Sequence, residues 1–505
     1  MFAKTLSCAV IGLNVEEVEV EIDISPGLGN TIIVGLPDTA IQEAKERIKA
    51  AIKNSGFHFP TTRLTINLAP ADLKKEGPAY DLAMAVGILA ASGQLFLNPK
   101  DSLFIGELAL DGKLRHTQGI LPRAIFAKEK RFKRIYIPEV NAQEANLVKD
   151  LEIIPVKTLP QLASHLSGKE RINSIKGKGI TQTNDEVAAE IDMAFIKGQE
   201  HIKRALEIAA AGAHNVLMTG PPGAGKTLLA RAMPSILPSI TSKEALEVTK
   251  IYSIAGKLPK NQPLITKRPF RSPHHSSSQV ALVGGGQFPH PGEITLAHRG
   301  VLFLDELPEF PKHVLEALRG PLEDGVVTIS RAQMTLTFPA SFTLIASQNP
   351  CPCGYLNDPE KECRCTPSQI SRYKKKISGP LLDRIDMHIE VPRVKFDKLT
   401  SEKVAESSKA IRSRVQKAHD IQLKRFKEEN LASNAEMKPQ HIKKFCQIDK
   451  KILDLLRTAV NHLHLSARAY HKVLKIGRTI ADLAGEEKIQ TSHIAEALQY
   501  RPKEE

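Results

Sequence analysis

Tryptophan is absent from this 505-residue chain, and aromatic residues together make up only 5% of it. Stacking of single-stranded bases needs several exposed rings, so a base-stacking platform is not expected. Long apolar runs are missing too. None approaches the roughly 18–20 residues needed to cross a bilayer, which excludes a spanning helix. No internal repeat and no low-complexity tract is visible. The start, Met1 to Leu13, has the look of a short signal, but acidic, alternating sequence follows without a clean cleavage site. It reads as a first strand, and the expected address is cytoplasmic. Cysteine is sparse, at six residues.

What is plentiful is positive charge. The net charge is +14 and the isoelectric point is near 9.3. Such a balance favours a polyanionic partner, nucleic acid first and an anionic membrane surface second, although charge alone specifies no function. Hydrophobic content of 42% suffices for real cores. The length suggests about three domains.

Gly220, Pro221, Pro222, Gly223, Ala224, Gly225, Lys226 and Thr227 fit the pattern G-x-x-x-x-G-K-S/T. They follow an apolar strand, Asn215 to Thr219, and open a helix, Leu228 to Ala232. That context predicts a phosphate-binding loop. Its glycines let backbone N–H groups turn toward a polyphosphate, Lys226 neutralises the β/γ-phosphates of ATP, and the Thr227 hydroxyl ligates Mg²⁺. Upstream, Gly198 and Gln199 precede a helix and are placed to contact the adenine base. Val301 to Leu304 is a continuous apolar run of the kind a buried parallel strand requires. It ends in Asp305, a second Mg²⁺ ligand, and Glu306, which would activate the attacking water. A third strand, Phe342 to Ala346, leads to Asn349, whose amide would place that water; taken alone, Asn349 is equally a turn residue. Arg384 lies in Pro380-Leu-Leu-Asp-Arg384. It suits either a finger reaching a neighbouring subunit's nucleotide or an ordinary surface ion pair.

Four of the cysteines cluster as Cys351-Pro-Cys353 and Cys363-Arg-Cys365, around a loop too polar to pack a core. Four thiolates closing a short loop suit tetrahedral Zn²⁺, although C-x-C is tighter than the usual C-x₂₋₄-C. A redox pair, an iron–sulfur site and free thiols are the alternatives. Cys8 and Cys446 read as buried structural thiols.

Laid end to end, these motifs resemble an AAA+ ATPase, and more narrowly the magnesium-chelatase-like family known as YifB or ComM. Arg268-Pro-Phe-Arg-Ser-Pro-His274-His275, the run from Asn349 to Gly354, and Ser378 to Asp386 carry the resemblance, which covers nearly the whole chain. The fold it implies is α/β. An AAA+ P-loop parallel-sheet core (191–396) follows a Lon-protease-like N-terminal domain (1–168) and a linker (169–190), and precedes a C-terminal all-α lid (397–505). It also implies a hexameric ring with ATP bound between subunits, Arg384 entering from the next subunit, and a lid arginine, assigned to Arg468. ComM-type members act as helicases that drive branch migration during natural transformation, so the partner implied is single-stranded or branched DNA. In this AAA+ branch a hairpin projects into the pore. The alternating run from Val326 to Phe338 matches it, with Arg331 near its tip to meet DNA phosphates. The segment from Arg271 to Gly286 is a candidate second pore loop. Where Lon-type proteases carry the serine–lysine dyad, this chain has Ala79 and Leu121, so proteolysis is not expected. A chelatase-type ATPase that remodels a protein partner is the alternative reading.

Overall fold

In the computed structural model the described residues are 1–96, 101–180, 191–259, 262–286, 289–331, 334–394, 405–429, 431–462 and 465–502, with backbone alone at 331 and 334. The chain divides into two units, Met1–Asn184 with Ser242–Ile265, and Asp185–Thr241 with Thr266–Glu505.

The first unit opens with an antiparallel pair, Phe2–Ile11 and Asn14–Ser25. Val18, Val20 and Ile22 alternate inward from between glutamates, as a half-buried strand demands. Arg63–Ala69 and Thr31–Val34 complete this sheet, the last two strands running parallel. The helix Thr39–Asn54 is capped by Asp38, whose side chain accepts from the Ile41 N–H at 2.8 Å, and it buries Ile41, Ile48 and Ile52. The helix Asp81–Ala91 is almost wholly buried. Gly87 is needed there, because a Cβ at that position would lie 2.7 Å from Ile22 Cγ1. A second sheet joins Ser102–Phe104, Arg134–Pro138 and Glu152–Val156 in parallel.

Two features depart from the expected boundaries. Ile175–Lys176, inside the expected linker, pairs antiparallel with Glu152–Ile153 at the edge of the second sheet. Ser242–Ile265, expected within the ATPase core, belongs to the first unit. Its helix, Ser242–Ile254, offers the Ser253 carbonyl to the Gly119 N–H at 3.1 Å, and the Ser253 hydroxyl bonds Glu144.

The second unit is built on a five-stranded sheet, all parallel. Its order is Phe270–Arg271, Val301–Leu304, Thr343–Gln348, Val216–Thr219, Met387–Glu390. The strand that comes first in the chain thus lies between the fourth and the fifth. In open sheets a ligand crevice forms at such a switch point, outside the carboxyl ends of the strands. Register decides what meets there. Leu304 pairs Ala346, which brings Asp305 level with Ser347; Thr219 pairs Gln348, which brings Gly220 level with Asn349.

The C-terminal part is helical, as expected, through Ser408–Arg425, Pro439–Phe445, Lys450–His462, Ala467–Ala484 and Thr491–Gln499. Its core is continuous with the sheet's: Val415, Leu474 and Ile480 share one apolar cluster with Met218 and Ile345. A polar knot lies within it, where Asp482 accepts from Arg478 Nε at 3.1 Å and from Asn434 Nδ2 at 2.8 Å. Among the described residues no helix is long and apolar enough to cross a membrane.

Candidate nucleotide site and thiolate cluster

Strand Val216–Thr219 delivers the chain to Gly220, and helix Lys226–Ala232 takes it up again at Lys226. Gly223 and Gly225 hold φ of +78° and +85°, a region that side chains disfavour. At Gly220 the constraint is space, since a Cβ would fall 2.1 Å from the Val391 carbonyl oxygen. Gln199 is buried, and its Nε2 donates to the Ala224 carbonyl at 2.7 Å and to the Pro392 carbonyl at 3.3 Å. Its amide hydrogens thus tie the phosphate loop at Ala224 to the segment after strand Met387–Glu390, so that Gln199 is a strut beneath the loop. Gly198 precedes it at φ +77°.

Lys226 Nζ donates to the carbonyls of Gly220 at 2.6 Å and Pro221 at 3.0 Å, and to Asn349 Oδ1 at 3.0 Å. All three acceptors are neutral. Burial draws the ammonium below the ordinary lysine range, against the pull of Asp305 and Glu306. A charge so placed gains when an anionic oxygen replaces those partners. Thr227 Oγ1 donates to Asp305 Oδ2 at 2.8 Å. A hydroxyl and a carboxylate in contact form a hard-oxygen pair that fits Mg²⁺. Ser347, whose part the sequence did not reveal, donates its hydroxyl to Asp305 and accepts from the Glu306 N–H at 3.1 Å. Glu306 itself sits at φ +53°, a left-handed conformation costly for a glutamate and typical of functional positions.

Arg384 and Arg468 lie elsewhere. Arg384 donates to the carbonyls of Arg319 at 3.1 Å and Pro380 at 2.7 Å, and it pairs with Glu323. Arg468 Nη2 reaches the same Glu323 carboxylate at 3.2 Å. The two candidate arginines thus converge on one acid, and neither is hydrogen-bonded to the Lys226–Asp305 group in the described contacts. Nearby, Asp386 accepts from the Asn215 N–H at 3.0 Å and pairs with Lys472 at 3.4 Å. Burial alone would raise that carboxyl, but Lys472 and His214 together hold it well below the usual range.

The four clustered sulfur atoms all lie within 4.8 Å of one another, and all six cysteines are free thiols. Cys351 Sγ is 3.4 Å from Cys353 Sγ and 3.7 Å from Cys363 Sγ. Backbone N–H groups of Tyr355 and Arg364 hold the Cys353 thiol down, to about 6. Cys8 and Cys446 are buried, as expected.

The expected hairpin pairs Val326–Arg331 with Met334–Pro339, but its turn at 332–333 and the Arg331 side chain lie outside the described residues. In the candidate second pore loop, Arg271 pairs with Glu293, and Ser278 caps a short helix, Gln279–Val283. Gly284–Gly285 then pairs with His290–Pro291, and 287–288 lie outside the described residues. Ala79 and Leu121 are buried in one apolar cluster with Leu103 and Ile120. Neither side chain can serve as a nucleophile or a base.

Fold and site together define a P-loop AAA+ protein of the magnesium-chelatase type, a class that uses nucleotide and Mg²⁺. Three family models match: subunit ChlI of Mg-chelatase over residues 20–141, magnesium chelatase subunit ChlI over 192–399, and the magnesium chelatase subunit ChlI C-terminal region over 405–501. The chain is 44% identical to the competence protein ComM of Haemophilus influenzae, over 99% of this chain and 97% of the relative. It is 42% identical to the uncharacterized protein YifB of Escherichia coli, over 98% and 96%. The magnesium-chelatase 38 kDa subunit of Cereibacter sphaeroides is 27% identical, over 31% of this chain and 51% of the relative. The chain belongs to the YifB/ComM family of magnesium-chelatase-like AAA+ proteins.

Proposed function

We propose that this protein is an ATP-driven DNA motor, a hexameric, cytoplasmic helicase that promotes branch migration while incoming DNA recombines during natural transformation. The observation that carries the ATPase part is the meeting of Lys226, Thr227, Asp305, Glu306 and Asn349 at one carboxyl edge of a parallel sheet. Lys226 neutralises the β/γ-phosphates. Thr227 and Asp305 hold Mg²⁺, which draws charge from the phosphate oxygens when bound. Glu306 takes a proton from the attacking water, and Asn349 orients that water. Arg384 enters the neighbouring subunit's site, and Arg468 is the lid arginine that reaches the γ-phosphate. The four thiolates hold Zn²⁺. Residues 1–168, joined by the strand Ile175–Lys176 and by Ser242–Ile265, form an inactive protease-like scaffold, the rest of 169–190 the linker, the rest of 191–396 the motor core and 397–505 its lid.

Three features support DNA as the partner: the charge of +14, the hairpin carrying Arg331, and the similarity to a competence protein. The ChlI family matches favour a second reading, an ATPase that remodels a protein partner. One comparison separates the two. Hydrolysis by the DNA motor rises with a four-way junction or single-stranded DNA, and its DNA binding falls steeply with salt. A protein remodeller shows neither response.

A further inference from the structure

We propose that the zinc-loaded thiolate cluster is a brace for the phosphate loop, so that metal occupancy sets the affinity for ATP. The inference rests on the zinc reading above and is independent of the DNA partner.

Geometry suggests a single ion. Tetrahedral zinc–sulfur bonds of about 2.3 Å place sulfurs about 3.8 Å apart, and the Cys353–Cys363 separation is 3.6 Å. The Cys353 N–H donates to Cys365 Sγ at 3.4 Å, the sort of outer contact that orients a metal ligand. The ring closed by these thiols is polar, with Cys351 and Gly354 buried and Tyr355, Leu356 and Asp358 half-buried, so it has little apolar core of its own. Asp358, which accepts from the Glu360 and Lys361 N–H groups, orders its outer turn, and an ion held by the four sulfurs would order its base.

That loop abuts the phosphate loop at one place and is linked to it by a second, indirect route. Gly354, at φ +83°, lies directly against the phosphate loop: a Cβ there would fall 2.5 Å from Pro222 Cδ and 3.8 Å from Asn349 Cγ. Arg393 pairs with Asp358 of the loop at 2.9 Å and stacks over Tyr355. The neighbouring Pro392 carbonyl accepts from Gln199, the strut beneath Ala224. Cys351 lies two residues beyond Asn349, the acceptor for Lys226 Nζ. Losing the metal therefore frees Gly354 from Pro222 and slackens Asn349 and the loop together.

The test uses the full chain without DNA. Zinc is measured by elemental analysis, and ATP affinity by titration with a fluorescent ATP analogue. Three samples are compared: protein as purified, protein stripped with a thiol-reactive mercurial and chelator, and stripped protein after zinc is returned. The expected result is one zinc per chain and a Kd about tenfold weaker on stripping, the scale of losing an outer support, with recovery on reloading. Gly354→Ala should keep its zinc and still weaken binding by a similar factor. That variant decides the matter if the stripped protein loses its circular dichroism. Zinc present with an unchanged Kd in Gly354→Ala overturns the brace while leaving the zinc site standing. Reduced protein that holds no metal overturns the zinc reading and the brace with it.

Discussion

At Ser347 one hydroxyl touches both acidic partners of the site, donating to Asp305 and accepting from the Glu306 N–H at 3.1 Å. Ser347→Ala should lower the hydrolysis rate about tenfold, within the range for loss of a positioned hydrogen bond, while leaving the melting temperature nearly unchanged. A steady-state ATPase assay beside a thermal melt checks this. Glu306→Gln removes the proposed base but not the binding groups, so turnover should fall by about 10²–10⁴-fold with ATP affinity retained. Parallel loss of affinity would assign Glu306 to binding instead. The phosphate loop, Asp305 and Glu306 were legible because each sits where an apolar strand ends. Ser347, Glu323 and the strut made by Gln199 were not. Their partners lie 41 or more, 61 or more and 25 or more residues away, and strand register or helix packing, which no local pattern reveals, brings them together.

Asp386, the residue before strand Met387–Glu390, pairs with Lys472 of helix Ala467–Ala484 and so joins the two. The folded pKa of Asp386 is depressed below its unfolded value of about 3.9. Its stabilisation is thus fully present above about pH 4 and is lost as the pH falls toward the folded value. Asp386→Asn should cost on the order of 3 kcal/mol near neutrality, because it leaves the largely buried Lys472 ammonium with only the Asp383 and Ile385 carbonyls and no counter-charge in contact. It should also flatten the fall of stability between about pH 4 and pH 2. Denaturant unfolding across that pH range checks both. The strands that end at Thr219 and Leu304, the strand before Asn349 and the paired run from Val326 to Phe338 were legible from apolar runs or alternation. Ile175–Lys176 was not, since two residues are too few to show a period. The allegiance of Ser242–Ile265 to the first unit was hidden for another reason: its contacts, such as Ser253 with Gly119, are set by packing rather than by anything adjacent in sequence.

For the whole molecule, the proposed sharing of each site between neighbouring subunits makes a further prediction. Lys226→Ala and Arg384→Ala subunits should each be inactive alone. Mixed in equal amounts, they should regain activity at up to about a quarter of interfaces, those pairing an intact Lys226 with an intact neighbouring Arg384. Failure to complement, in rings shown to be mixed, would place Arg384 outside the neighbour's site. The central claim, that hydrolysis drives movement along DNA, is tested most directly on a labelled four-way junction incubated with ATP. The account predicts that the native chain converts the junction to its branch-migrated duplexes and that Glu306→Gln does not. A native chain that hydrolyses ATP at the same rate with and without the junction, and leaves it intact, would contradict it.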